Sequence, residues 1–298
     1  MAAHLETQDL FQRASAIRET VFGKEIRLCM IINAKCGVCD MDCGFCSQSA
    51  HHNASIASYP LLSREILGRQ IAGIAQTGVH HCGLVTSGGR LTSDDLERLC
   101  SVIQSYRTNG SLSLCASLGR LAEPELWPLR QAGLSRFHHN LETSRTFYPS
   151  ICTTQTWQQR VETIRAAQRA GLEVCTGGLF GLGESWQDRI DLAISLRALG
   201  ITSVPINFLH ARPGTPMADR PALAAEEALR IIAVYRHILP GATLRICGGR
   251  PHVLGDRQKD IFAAGANALM TGDYLTTSGR GVADDLAMIH EHGLVVAP

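Results

Sequence analysis

QTGVHH at 76–81, RQAGLSRF at 130–137, QRAGLEV at 168–174 and RALGITSV at 197–204 are four versions of one junction. Each closes a helical period on a Gly, which takes the left-handed cap conformation at little cost, then enters a β-forming run within two or three residues. Working outward, the β-forming runs fall at 27–34, 80–86, 111–117 and 136–142, then at 173–180, 203–210, 242–248 and 268–274. Helical periods lie between them at 63–77, 157–170, 186–199 and 221–239, and an amphipathic helix is expected at about 5–22. Eight strands alternating with helices, with no linker or low-complexity tract, argue for a single α/β domain over 1–298, a (β/α)8 TIM barrel. A doubly wound open sheet is the rival architecture. No Gly-rich dinucleotide fingerprint follows a strand, so the barrel is preferred.

The composition narrows the function. Of 298 residues, 45% are hydrophobic and 18% charged, with 28 Lys+Arg against 27 Asp+Glu. That balance gives a folding chain with no electrostatic footprint for nucleic acid or an anionic membrane. No run of about 18 apolar residues occurs, so no bilayer span is expected. The first 26 residues lack the apolar core of a signal peptide, and the expectation is a soluble, cytoplasmic protein.

Eleven cysteines are too many to pass unexplained. In a reducing compartment metal is the default, although singletons such as Cys100 and Cys152 can serve as small core hydrophobes. Four thiols crowd into Cys36, Cys39, Cys43 and Cys46, in the loop after the first strand, where a barrel places its chemistry. Cys39-x3-Cys43-x2-Cys46 lets a short loop hold three irons of a [4Fe–4S] cube and leaves the fourth iron open to another ligand. Adding Cys36 gives C-x2-C-x3-C-x2-C, a zinc knuckle or a four-ligand electron-transfer cluster. Further cysteines sit on expected strands. Cys29, Cys115, Cys175 and Arg245 come from the first, third, fifth and seventh, so they form one candidate interior layer, with Cys82 on the second strand beside it. Cys247 shares a face with Arg245. Small residues filling a tapering core would explain any one of these cysteines. Several thiols around a buried guanidinium make a poor apolar core, and an iron–sulfur cluster would supply the anionic charge such an Arg needs.

CDMDCGFCSQSAHH at 39–52 resembles the radical S-adenosylmethionine (SAM) enzymes, and Gln48-Ser49 after the last Cys resembles the biotin synthase family in particular. LCASLG, HHNLETS, TWQQRVETI, EVCTGGLFGLGE, SVPIN, PGTPM and ATLRICGGR look like segments of that family in the same order, over roughly residues 25 to 290. The resemblance implies a radical SAM barrel and a sulfurtransferase that converts dethiobiotin to biotin. Cys39, Cys43 and Cys46 would hold the [4Fe–4S] cluster, and SAM would chelate its open iron and be cleaved reductively. Cys82, Cys115, Cys175 and Arg245 match the positions of an auxiliary [2Fe–2S] cluster that donates sulfur. Cys29, Cys36 and Cys247 depart from the common form of the family, and Cys29 as a further thiolate would suit a four-iron auxiliary cluster carrying an extra sulfide. Phe45, Asn140, Glu142 and Arg160 match SAM-binding positions, with Asn140 also facing substrate. Asn207 matches the residue that hydrogen-bonds the ureido ring. The family also implies an electron donor such as flavodoxin or ferredoxin, and a homodimer. The rival readings are a related radical SAM maturase or mutase, of hydrogenase-cofactor or methylornithine type, and a non-catalytic iron–sulfur or zinc carrier. His80, His81, His138 and His139 read as strand-end residues with no metal role.

Overall fold

A computed structural model describes residues 7–107 and 112–297. The first two residues of the expected N-terminal helix, and residue 111 at the start of the expected third strand, lie outside the described residues. The strands are β1 (Glu25–Lys35), β2 (His81–Thr86), β3 (Ser113–Ser117), β4 (Arg136–His138), β5 (Glu173–Cys175), β6 (Gly178–Phe180), β7 (Ser203–Phe208), β8 (Thr243–Ile246), β9 (Ala268–Met270) and β10 (Val295–Val296). They pair in parallel in the order β1-β2-β3-β4-β5-β7-β8-β9, and β9 returns to β1, closing the barrel. β5 and β6 are the two halves of one interrupted barrel strand, both paired with β7. β10 adds to the start of β1, outside the ring.

The main intervening helices are α2 (Arg64–Ala75), α3 (Ser93–Tyr106), α4 (Glu123–Ala132), α5 (Trp157–Arg169), α6 (Trp186–Ala198) and α7 (Ala225–Ile238). Side chains start several of them. Ser63 and Thr92 accept from the third backbone N–H of α2 and α3, and Thr156 with Gln159 forms a reciprocal box on α5. At the other end, Gly78, Gly133, Gly171 and Gly200 have φ between 69° and 114°, the left-handed turn read from the four junctions. The N-terminal helix α1 (Thr7–Phe22) packs Leu10 and Ala14 against Ala233 and Val234 of α7.

The core is the layer between barrel and helices. Ile26, Leu28 and Ile32 of β1, Leu84 of β2, Leu114 of β3 and Leu244 of β8 point into it. Alternate residues on the same strands therefore face the barrel axis. Most strands are shorter than their β-forming runs, and the fourth matters most for the site. β4 ends at His138, so Asn140 and Glu142 lie in the loop beyond it, where Leu141 N–H and Glu142 N–H both donate to Gly177 O. Close packing demands the glycines at 177 and 178. A Cβ on Gly177 would stand 1.8 Å from Pro205 O, and one on Gly178 would stand 2.6 Å from Glu142 O.

Candidate active site

The C-terminal ends of the strands open onto a cavity of about 440 Å³ that runs down the barrel axis. Its upper wall is the loop after β1. A register shift between β1 and β2 at Asn33–Lys35 releases the chain into that loop, and Val38 (φ 50°) turns it toward Cys39. The loop folds on itself through Cys39 N–H to Gln48 O, Ala50 N–H to Cys39 O and Cys46 N–H to Cys43 O. Ser49 Oγ donates to Met41 O at 2.6 Å. Asp42 ties the loop to the segment before α5, accepting from the N–H groups of Thr153 and Thr154 at 2.9 and 3.1 Å and from both hydroxyls.

Cys39, Cys43 and Cys46 line the cavity, together with Phe45. Cys36 does not. It is buried, and its backbone bridges to Tyr59. Burial raises the Cys39 thiol and pushes Cys46 up to about 11, so these thiols ionise only with a metal's help. Among the described residues no three His, Cys, Asp or Glu side chains converge tightly enough for one ion. A cube of four irons spreads its three thiolates wider than one ion would, so the donor set suits a cluster better than a zinc ion. Cys152, expected only as a core filler, packs against this loop beside Met41, Cys43 and Tyr148. It shares a hydrogen bond with Cys43 that pushes the Cys43 thiol up and pulls the Cys152 thiol down.

The cavity wall also carries Asn140, Glu142 and Arg160. Glu142 has φ 67°, a strained conformation held by backbone bonds to Gly177 and Leu179. Arg160 is only 8% exposed. It donates to Tyr148 Oη at 2.6 Å and to Asn140 O at 2.8 Å, and lies 3.6 Å from Glu142. Burial opposes the Arg160 charge, but Glu142 and Tyr148 more than offset it and hold the guanidinium protonated. Glu142 keeps most of its acceptor capacity free for a diol. Asn207 is anchored on both sides, donating to Gly178 O at 3.1 Å and accepting from Gly248 N–H at 3.0 Å. One N–H and one lone pair remain for a ligand.

The cavity floor holds Cys29, Cys115, Cys175, Arg245 and Cys247. Arg245 Nη1 donates to Ser203 Oγ at 3.0 Å and lies 3.8 Å from Cys175 Sγ. Its Nε is buried with no partner. Burial opposes ionisation of Cys175, yet the His138 hydrogen bond and the charges of His138, Arg245 and Arg136 outweigh it and bring the thiol down to about 6. Burial raises Cys29 and pushes Cys115 up to about 12. A row of thiols beside a guanidinium with an unused donor fits an anionic thiolate-bound cluster.

Cys82 is placed otherwise than expected. It has no exposed surface and packs with Leu84 and Leu114 in the outer apolar layer. Burial, with Cys115 and Cys29 nearby, pushes its thiol up to about 12, but it does not reach the cavity wall. His81, Gly83, Val85 and Thr86 are the β2 residues that do. His81, His138 and His139, read as plain strand-end residues, all line the cavity.

Comparison with known proteins agrees with this geometry. A model of the radical SAM superfamily matches residues 35–196, and one of the biotin and thiamin synthesis associated domain matches 205–295. The biotin synthase of Desulfovibrio desulfuricans is 57% identical over 98% of this chain and 92% of that one. The chain belongs to the biotin synthase family. The biotin synthases of Trichlorobacter lovleyi and Heliobacterium modesticaldum follow at 48% and 46% identity, over 97% and 99% of this chain and 87% and 91% of theirs. Among solved structures, methylornithine synthase superposes with a TM-score of 0.87 at 21% identity, covering 100% of this chain and 92% of that one. The FeFe-hydrogenase maturase HydG of Carboxydothermus hydrogenoformans gives 0.84 at 18%, over 99% of this chain and 74% of its own. At such identities these likenesses speak for the radical SAM barrel alone. No described helix is long and apolar enough to cross a membrane.

Proposed function

We propose that the chain is a radical SAM sulfurtransferase that converts dethiobiotin to biotin, working in one cavity with two cluster sites at different depths. The observation that carries this is the single cavity whose mouth holds Cys39, Cys43 and Cys46 and whose floor holds Cys29, Cys115, Cys175 and Arg245. When bound, the [4Fe–4S] cluster with SAM supplies a deoxyadenosyl radical and the auxiliary cluster supplies sulfur. The chain's own residues bind, orient and shield. Glu142 accepts from the ribose hydroxyls of SAM, Arg160 pairs with its carboxylate, and Phe45 packs beside it. Asn140 presents its side chain between SAM and substrate, its Oδ1 fixed by Gly177 N–H at 3.0 Å. Asn207 offers its remaining donor and acceptor to the cyclic urea. The walls keep water from the reacting carbon.

The floor is read as an auxiliary cluster with Cys29, Cys115 and Cys175 as thiolates. Cys29 as a ligand favours four irons with an extra sulfide over [2Fe–2S]. Arg245 serves as a hydrogen-bond donor to sulfur and as a counter-charge. The expected place of Cys82 in this set is at odds with its position in the outer layer. The remaining expectations stand as part of the proposal: one domain across the chain, a flavodoxin or ferredoxin as electron donor, a homodimer, and a cytoplasmic location. Support for one domain comes from both family-model segments, which contribute strands to the same closed barrel.

Anaerobic reconstitution followed by iron and sulfide counts, with product analysis after adding SAM, dethiobiotin and a reductant, tests the reading. Biotin formation with more than four irons per chain is expected. SAM cleavage without biotin, at four irons or fewer, would overturn it.

A further inference from the structure

On β2 the side chain that reaches the cavity floor is His81, one residue before the cysteine that family resemblance singles out. The register sets its height. His81 pairs with Cys29 on β1 and with Ser113 on β3, while Gly83 pairs with Cys115. The imidazole therefore stands level with the Cys29 thiol and between the two thiol-bearing strands. Gly83 next to it carries no side chain to fill the same space.

The other histidines near the barrel axis differ from it. His80 spends both ring nitrogens on structure: Nδ1 accepts from Leu28 N–H at 3.0 Å and Nε2 lies 3.0 Å from Ala297 O. His138 is hydrogen-bonded to Cys175. His139 stacks on Phe137 and faces the Arg160 side of the cavity, and of its two ring nitrogens Nε2 alone is buried without a partner. Both ring nitrogens of His81 are shut off from solvent and have no hydrogen-bond partner. A buried imidazole with two unused nitrogens calls for an explanation, since native structures pair such groups. Burial, reinforced by Arg136 and Arg245, lowers its pKa to about 3, so the ring is neutral and carries a free lone pair.

We propose that His81, through a ring nitrogen, is the β2 ligand of the auxiliary iron–sulfur cluster, joining Cys29, Cys115 and Cys175 in a mixed imidazole–thiolate set. The proposal rests on the reading of the barrel floor as a cluster site. Histidine replaces cysteine on iron in Rieske centres, so the chemistry is available to an iron–sulfur cluster. A neutral ligand leaves the cluster one negative charge poorer than four thiolates would, which favours its reduced state. Cys82 then stays in the outer layer as a small apolar side chain, consistent with its burial against Leu84 and Leu114.

The test uses the full-length chain with Cys39→Ala, Cys43→Ala and Cys46→Ala together, so that only the floor can hold iron. The protein is reconstituted anaerobically with iron and sulfide, reduced, and examined by iron analysis and pulsed EPR with and without 15N-histidine. A histidine nitrogen coupling that changes with the isotope is expected. His81→Ala should lose the coupling and most of the iron. His81→Cys should lose the coupling and keep the iron, which guards against a variant that merely misfolds. Cys82→Ala should keep both. The assignment is overturned if iron binds without histidine coupling, if the coupling survives His81→Ala, or if Cys82→Ala strips iron while His81→Ala does not. Failure of the parent protein to bind any iron would overturn the reading of the floor itself, a different result from iron bound without histidine.

Discussion

The mouth and the floor of the cavity use the same side chain in different ways. At the mouth, Cys39, Cys43 and Cys46 lie within eight residues on a loop that short hydrogen bonds shape locally. On the floor, Cys29, Cys115 and Cys175 arrive from three strands and meet only because the barrel closes. Local spacing specifies the first group. The second depends on strand register, where a slip of one residue turns a side chain to the opposite face. The mouth should therefore respond to mutation as a switch that turns SAM chemistry on or off, and the floor should affect sulfur transfer alone.

Four substitutions separate the two regions, beginning with the largest expected effect. Cys43→Ala should abolish reductive SAM cleavage, whereas Cys36→Ala should leave it largely intact, as measured by methionine and 5′-deoxyadenosine release. Loss of cleavage in the Cys36 variant would mean that the mouth uses four thiols. Cys29→Ser should lower floor iron and stop biotin formation while sparing SAM cleavage. Arg245→Met should retain more iron than Cys29→Ser, because a hydrogen-bond donor is easier to lose than a ligand. Equal iron in wild type and Cys29→Ser would remove Cys29 from the ligand set.

Asn207→Ala should weaken dethiobiotin binding by about 1–3 kcal/mol, roughly 5- to 150-fold in Kd, the cost of stranding a polar partner. Calorimetry on the anaerobic SAM complex reads this directly, and an unchanged Kd would assign the ureido contact elsewhere. Asp42→Ala should cost about 1–2 kcal/mol by releasing the mouth loop from Thr153 and Thr154. Burial is the largest single influence and opposes the Asp42 charge, but the hydrogen bonds from Thr153 and Thr154 together outweigh it and hold its pKa below the ordinary 3.8. A carboxylate depressed in the folded state contributes stability that is fully present above its unfolded pKa and is lost as the pH falls below it. The apoprotein should therefore lose stability below about pH 4 more steeply than Asp42→Ala does. Parallel pH–stability curves for the two proteins would contradict this.

The same contrast governs how much could be read from sequence. Helix-closing glycines and β-forming runs gave the barrel, because Gly133, Gly171 and Gly200 take the backbone that their position demands. The mouth was legible from the spacing of three cysteines. On the floor, Cys29, Cys115, Cys175 and Arg245 were placed on the inward face by their common depth in alternate strands. Cys82 was not, because both faces of a barrel strand are buried and hydrophobicity alone does not separate inside from outside. His81 went unrecognised for the same reason, since the free state of its nitrogens is a property of the packed floor. Arg160 was marked only by family resemblance, and the fold is what shows it buried against Tyr148 and Glu142.

The claim that one cavity carries two cluster sites is tested most directly by anomalous diffraction at the iron edge from anaerobically grown crystals. Two separate iron centres are expected, one held by Cys39, Cys43 and Cys46 and the other inside the barrel among Cys29, Cys115, Cys175 and Arg245. A single iron centre at the mouth, with the floor thiols free of metal in fully reconstituted and active protein, would contradict the account.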